Sequence, residues 1–110
     1  MKTTDPLSTT FAALADPTRR AVFERIMAER EVTAGSLVAR SRVSQPAVSQ
    51  HLKALRDAGL VSERKEGRHI HYRVRREGFE PLVNWLDRWS VFWNERFDNL
   101  EKYLEQEKKG

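Results

Sequence analysis

Residues 44–59 read SQPAVSQHLKALRDAG, and this stretch decides the fold. Ser44 is a good helix N-cap, and Pro46 is tolerated in a first helical turn because its missing N–H would be unpaired there anyway. Gly59 stands where a helix favours a left-handed C-terminal residue. The predicted buried stripe of this helix consists of Val48, Leu52 and Leu55.

The opposite face of this helix is polar and suits the major groove of DNA. Gln can pair with adenine edges, Ser can contact bases or phosphates, and Pro can touch a thymine methyl group. An ordinary solvated helix face is the alternative. The predicted groove-facing residues are Ser44, Gln45, Pro46, Ser49 and Gln50, and the predicted backbone-contacting residues are Lys53, Arg56 and Arg42.

Three helices are predicted before this one. Leu7, Phe11 and Leu14 recur at helical spacing, with Ser8 as a candidate cap. Asp16 and Pro17 then favour a new helix start, and its buried face is predicted to hold Val22, Phe23, Ile26 and Met27. Thr33 is a candidate cap for a short third helix that ends at Arg40, with Leu37 and Val38 buried.

A basic β-hairpin is predicted after Gly59. Residues 60–65 and 69–74 can alternate as strands, with residues 66–68 at the tip. Such a ribbon can lie over the DNA backbone and place an arginine in the minor groove. A solvated edge strand that carries charge is the alternative. The predicted contacts of this wing are Arg64, Lys65, Arg68 and His69, with Arg68 at the tip as the best candidate.

Gly78 is predicted to break the chain after the hairpin, and a long apolar stripe follows from Pro81 towards Glu107, with helical spacing throughout. A small core cannot cover all of it, so part of it is predicted to meet a second copy of the chain. An intrachain core and a pocket for an apolar effector are the alternatives. The predicted dimer interface consists of Leu7, Phe11, Leu14, Trp85, Trp89, Phe92, Trp93, Phe97 and Leu100.

The order of these elements predicts a mainly α fold with a small β-hairpin, a winged helix-turn-helix with a long C-terminal dimerisation helix. One domain is expected over residues 1–110. Within it, residues 33–59 form the helix-turn-helix and residues 60–76 the wing. Residues 7–30 and 79–107 supply the dimerisation helices.

Charge is concentrated where DNA contact is predicted. The chain has a net charge of +4, but residues 17–76 carry 14 Lys/Arg against 6 Asp/Glu, whereas residues 77–110 carry 5 against 8. The chain has no cysteine, which excludes disulfides and thiolate metal sites. It has no stretch of roughly 20 apolar residues and no signal-peptide core at its start, so a cytoplasmic protein with no membrane partner is expected.

The sequence resembles the ArsR-type regulators in three segments. These are FAALADPTRRAVFERI (11–26), SQPAVSQHLKALRDAGLV (44–61) and ERKEGRHIHYRV (63–74), and the likeness extends from about residue 7 to residue 104. The resemblance implies a dimeric repressor of promoters. It places Gln45, Pro46, Ser49 and Gln50 at the major groove and residues 63–74 on the wing.

The resemblance further implies a metal-independent member. The segment AGSLVAR (34–40) lacks the cysteines of thiolate sensors, and the last helix lacks the histidines of zinc sensors. The segment WLDRWSVFWNERFDNLEKYL (85–104) is similar to that of metal-independent members. His69 and His71 share a strand face, and His51 lies on the helix predicted over residues 44–59. Such histidines are more often surface or DNA-facing residues than metal ligands.

No catalytic arrangement, phosphate loop or cofactor signature stands out, so neither an enzyme nor a cofactor is predicted. The expected partners are a double-stranded DNA operator with inverted-repeat symmetry and a second copy of the chain. An unknown small-molecule effector is possible. A winged-helix module that binds RNA or protein is the alternative function.

Overall fold

The computed structural model describes residues 5–109 and has the predicted winged helix-turn-helix architecture over that range. The elements are α1 (Pro6–Ala15), α2 (Pro17–Glu29), β1 (Glu31–Thr33), α3 (Ala34–Arg40), α4 (Gln45–Asp57), β2 (Val61–Glu66), β3 (His69–Val74), α5 (Arg76–Arg88) and α6 (Ser90–Lys109). Within these residues, no helix combines the length and apolar character that crossing a membrane requires.

Each of the first four helices has an N-cap residue whose side chain accepts a backbone hydrogen bond. Asp16, Thr33 and Ser44 cap α2, α3 and α4 as predicted, and each accepts a hydrogen bond from a backbone N–H three residues on. The prediction of Ser8 as the cap of α1 is wrong. Asp5 holds that position and accepts from the Ser8 N–H at 2.9 Å and from the Ser8 hydroxyl at 2.8 Å.

The sheet has three antiparallel strands in the order β1-β3-β2, one more than the sequence predicts. Strand β1 pairs Val32 with Tyr72 and Thr33 with His71 of the central strand. The hairpin β2–β3 continues beyond the end of β1 to a two-residue loop of Gly67 and Arg68. Glu66, predicted at the tip, is the last residue of β2. The wing is therefore anchored at its base and projects at its tip.

The core lies between α2, α4 and the inner face of the sheet. Val48, Leu52 and Leu55 of α4 are 0%, 1% and 0% exposed, as their spacing predicts. Phe23 and Ile26 of α2 are buried against them. The predicted burial of Met27 is wrong, since this side chain is exposed on the outer face of α2. Burial of one face of α4 leaves its other face in solvent.

The end of α4 makes a close backbone contact with the start of α5. Gly59 has a φ of 76°, and the Leu60 N–H donates to the Leu55 carbonyl at 3.0 Å, which is the Schellman motif. Gly78 lies in the first turn of α5 and does not break the chain, contrary to the prediction. A Cβ at this position would lie 1.8 Å from the Gly59 carbonyl oxygen.

The C-terminal segment forms two helices, and the single helix predicted from Pro81 is wrong. Helix α5 begins at Arg76, five residues earlier, and contains Pro81 in its interior. The helix ends at Arg88, and the N–H of Trp89 donates to the Leu86 carbonyl at 3.2 Å. The Ser90 hydroxyl donates to the Asp87 carbonyl at 2.8 Å, which satisfies an acceptor at this break.

The Gly59–Gly78 contact predicts that Gly78→Ala destabilises the fold. The added methyl group would meet backbone atoms, which cannot move aside as a side chain can, so we expect a loss of at least about 2 kcal/mol in the free energy of unfolding. Gly35→Ala is the matched control, because nothing lies within 4 Å of the position that its added methyl group would take.

That control should leave stability unchanged or raise it by up to about 1 kcal/mol, since Ala is the better helix former. Urea unfolding of both variants measures the difference. Equal stabilities for the two variants would contradict the close contact.

Candidate nucleic-acid interface

Helix α4 presents a continuous polar face to solvent. Ser44, Gln45, Pro46, Ser49 and Gln50, the predicted groove-facing residues, are all exposed. They lie opposite the buried stripe of Val48, Leu52 and Leu55. A helix of this width fits the major groove, and its free amides and hydroxyls are the groups that read base edges.

The N-terminal part of this face borders a groove against α3. Gln45 and Ser49 line one side of this groove, and Ala34 and Gly35 line the other, around a volume of about 270 Å³. Small residues on α3 leave the ends of Gln45 and Ser49 accessible. The short α3 therefore packs beside α4 without covering its polar face.

The wing carries exposed cationic and imidazole side chains near its tip. Lys65, Arg68 and His69 are exposed, and Gly67 takes a φ of 62° that allows the tight loop. Arg68 and Lys65 have no carboxylate partner among residues 5–109. These two cations are available to an external phosphate.

Two of the predicted DNA-contacting cations are paired with carboxylates of the same chain. Arg64 donates to Glu31 at 2.8 Å and to Glu66 at 2.7 Å. Arg56 donates to Glu63 at 3.1 Å and lies 3.7 Å from Asp57. Lys53 and Arg42 are exposed and have no such partner within the described part of the chain.

The Arg64 guanidinium keeps both of its partners ionised. Its hydrogen bonds lower the pKa of Glu31 and of Glu66, and those same bonds raise the pKa of Arg64 itself. Carboxyl and guanidinium groups are charged at neutral pH in any case, and this pairing widens the pH range over which all three stay charged. A DNA phosphate that recruited Arg64 would have to compete with two carboxylates.

The three histidines do not converge on one site. His69 is exposed near the tip, whereas His71 lies 3.8 Å from Glu31 and 3.7 Å from Glu66, too far for hydrogen bonds. His51 is half-buried on the other side of α4, and its Nδ1 has no hydrogen-bond partner within the described residues. Within residues 5–109, no three potential ligands are gathered for a metal ion.

The predicted interface residues form an aromatic surface that is partly used within the chain. Phe11 of α1 meets Trp85 of α5 edge to face, with ring centroids 5.6 Å apart. Along α6, Phe92, Trp93 and Phe97 contact one another in sequence. Six of the predicted interface residues have side chains that are 41–62% exposed: Phe11, Trp89, Phe92, Trp93, Phe97 and Leu100.

The sequence did not reveal the carboxylates that pair with the cations of this surface. Glu66 stands two residues after Arg64 on one strand, so the alternation of a strand places both on one face, and this signal was present. Glu31 could not be found in this way, because its position follows from a strand that the sequence did not predict.

Comparisons with known proteins agree with this geometry. A family model described as a helix-turn-helix domain matches residues 14–64. The HTH-type transcriptional regulator Rv2034 of Mycobacterium tuberculosis is 40% identical over 95 residues, which are 86% of this chain and 85% of that protein. A probable mercury resistance operon repressor of Streptomyces lividans is 44% identical over 64 residues, 58% of this chain and 50% of that protein.

A solved structure is similar over most of the chain. The ArsR-like transcriptional regulator from Rhodococcus sp. RHA1 superposes with a TM-score of 0.68 at 33% identity. The match covers 88% of this chain and 91% of that one. The similarity therefore includes the helix-turn-helix, the wing and part of the C-terminal helices.

Proposed function

Because the chain belongs to the ArsR family of winged helix-turn-helix transcriptional regulators, we propose that it is a homodimeric repressor that binds an inverted-repeat DNA operator. The protein is a DNA-binding regulator and not an enzyme. The observation that carries the operator proposal is the face of α4: five exposed residues lie opposite a fully buried stripe. Four exposed cations without a carboxylate partner within residues 5–109 are available for phosphates: Lys53 on α4, Arg42 just before it, and Lys65 and Arg68 near the tip of the wing.

A second copy of the chain is the proposed cover for α6. Every residue from Val91 to Lys108 is exposed, so this helix, about 30 Å long at ~1.5 Å per residue, has no face covered by the described part of its own chain. Its large apolar side chains recur at spacings of four, three and four, as in a two-helix seam. These residues are Trp93, Phe97, Leu100 and Leu104.

Helix α1 extends the proposed interface. It packs on α5 through Phe11 and Trp85, yet Phe11 remains exposed on its outer side. Residues 77–110 have a net charge of −3, so phosphate would repel this end of the molecule. Dimerisation through α1, α5 and α6 thus leaves α4 and the wing free for DNA.

The proposed dimer accounts for repression. Two-fold symmetry presents two copies of α4 to successive major grooves, about 34 Å apart, and this favours half-sites with inverted symmetry. A bound dimer of this size blocks access of polymerase to the promoter. The relative from Streptomyces lividans is named as a repressor, which supports this direction of regulation.

We further propose that no metal ion switches this protein. The same relative is named for mercury resistance, but mercury sensing needs soft thiolate ligands and this chain has no cysteine. The last helix has no histidine, and within residues 5–109 no three potential ligands are gathered for a metal ion.

The division of labour on α4 predicts that Gln45→Ala relaxes base preference, whereas Lys53→Ala does not. Loss of a base contact should reduce discrimination by about 1–3 kcal/mol, and loss of a phosphate contact should lower the salt slope by about one for every sequence. Binding to an operator selected from a random duplex library, and to its point variants, measures both effects. A stronger preference for RNA, or an unchanged base preference in Gln45→Ala, would refute this interface.

The proposed seam predicts that Trp93→Glu weakens dimerisation and operator binding together, without removal of a DNA contact. Val91→Glu is the matched control, since it adds the same charge on the opposite side of α6 and should stay dimeric. Phe97→Ala tests the seam with a milder change. Sedimentation equilibrium beside a binding assay reports the outcome, and a folded, monomeric Trp93→Glu that binds the full operator as tightly as the parent would exclude the dimer mechanism.

The absence of a metal switch predicts that zinc, nickel and arsenite leave operator affinity unchanged. The protein is first treated with a chelator, and each metal is then titrated against the dimer–operator complex. A stoichiometric metal that loosens DNA binding would show that ligands other than thiolates build a sensor here.

A further inference from the structure

Strand β1 ends partway along the wing, and this places Arg64 at a boundary in the sheet. Thr33, the last residue of β1, pairs with His71, and His71 pairs with Arg64 on its other side. Beyond this level the hairpin is two-stranded, with the pairs Lys65–Ile70 and Glu66–His69. A two-stranded ribbon has little stability of its own, so the orientation of the tip needs a further constraint.

The Arg64 side chain connects the two sides of this boundary. On the base side it donates through one terminal nitrogen to Glu31 of β1 at 2.8 Å. On the tip side it donates through the other terminal nitrogen to Glu66 at 2.7 Å. To reach Glu31, the guanidinium crosses the outer face of the central strand β3 near His71, whose ring lies within 3.8 Å of both carboxylates.

The base end of this connection is fixed to the body of the domain. Glu31 begins β1 only two residues after the last residue of α2, and the next residue, Val32, is buried in the core. Thr33 then caps α3. A planar guanidinium with two carboxylate partners holds a defined angle between them, which a single point charge does not.

We propose that Arg64 is a positioning residue of the wing: its bridge from Glu31 to Glu66 sets the orientation in which Lys65 and Arg68 meet the DNA backbone. In this role Arg64 makes no phosphate contact of its own, because its guanidinium is already paired with two carboxylates. This inference rests on the proposed use of α4 and the wing for DNA binding. It assigns to Glu31, an acidic residue close to the DNA-binding surface, a role that favours binding.

The direction in which Glu31→Gln changes DNA affinity distinguishes a positioning role of Arg64 from a phosphate contact. If Arg64 contacts phosphate, Glu31→Gln removes a nearby negative charge, frees Arg64 for the DNA and tightens binding. If Arg64 positions the wing, Glu31→Gln breaks the bridge and weakens binding, by about two- to fivefold for an exposed pair. Glu66→Gln should weaken binding in the same direction.

The salt dependence gives a second readout that loss of fold stability would not change. Arg64→Gln should lower operator affinity but keep the slope of log K against log salt, whereas Arg68→Gln, the matched arginine at the tip, should lower the slope by about one. The double variant Arg64→Gln/Glu31→Gln should bind no more weakly than Arg64→Gln alone, since both changes break one bridge.

These measurements use the full chain and its selected operator, with thermal unfolding of every variant. Tighter binding by Glu31→Gln, or a slope lowered by about one in Arg64→Gln, would overturn the inference and make Arg64 a phosphate ligand. Unchanged affinity in Glu31→Gln, Glu66→Gln and Arg64→Gln would overturn it as well. Gln45→Ala is measured in parallel. Loss of its base preference would support the proposed DNA interface whether or not Arg64 positions the wing.

Discussion

The backbone contact between Gly59 and Gly78 joins the half of the molecule that is proposed to read DNA to the half that is proposed to dimerise. Gly59 ends α4 and leads through Leu60 into the wing, and the Leu60 carbonyl accepts from the Arg75 N–H at 2.7 Å. The Gly78 carbonyl accepts from the Thr10 hydroxyl at 3.2 Å, which adds α1 to the same junction. A rotation of α5 about this point therefore has to move α4 or strain the backbone.

Local rules predicted the parts of the fold that depend on neighbours in sequence. The caps Asp16, Thr33 and Ser44, the left-handed Gly59 and the one-sided burial of α4 all follow from side-chain chemistry within four residues. The exposed polar face of α4 follows from the same periodicity, so the sequence alone is enough to name the residues of the candidate reading surface.

The features that the sequence did not reveal depend on contacts between distant segments. Strand β1 is only three residues long and is stabilised by pairing with β3, about 40 positions away. In the sequence Gly78 looks like a helix breaker. The reason for a glycine at this position is its tight approach to Gly59, a tertiary contact that the sequence does not show. The pairing of Arg64 with Glu31 depends on the unpredicted strand, and so the sequence predicts a free cation at this position.

The carboxylates also change what the basic surface can do. Affinity for DNA polyanion comes from counterions that are released when free cations meet phosphates, and a guanidinium that already neutralises a carboxylate releases few. On the proposed interface, Arg56 and Arg64 would therefore add less to non-specific attraction than their charge suggests, and Lys53, Lys65 and Arg68 would supply more of it. Because phosphate contacts carry no sequence information, fewer free cations lower the affinity for every duplex alike and leave the base contacts proposed for α4 a larger share of the binding energy.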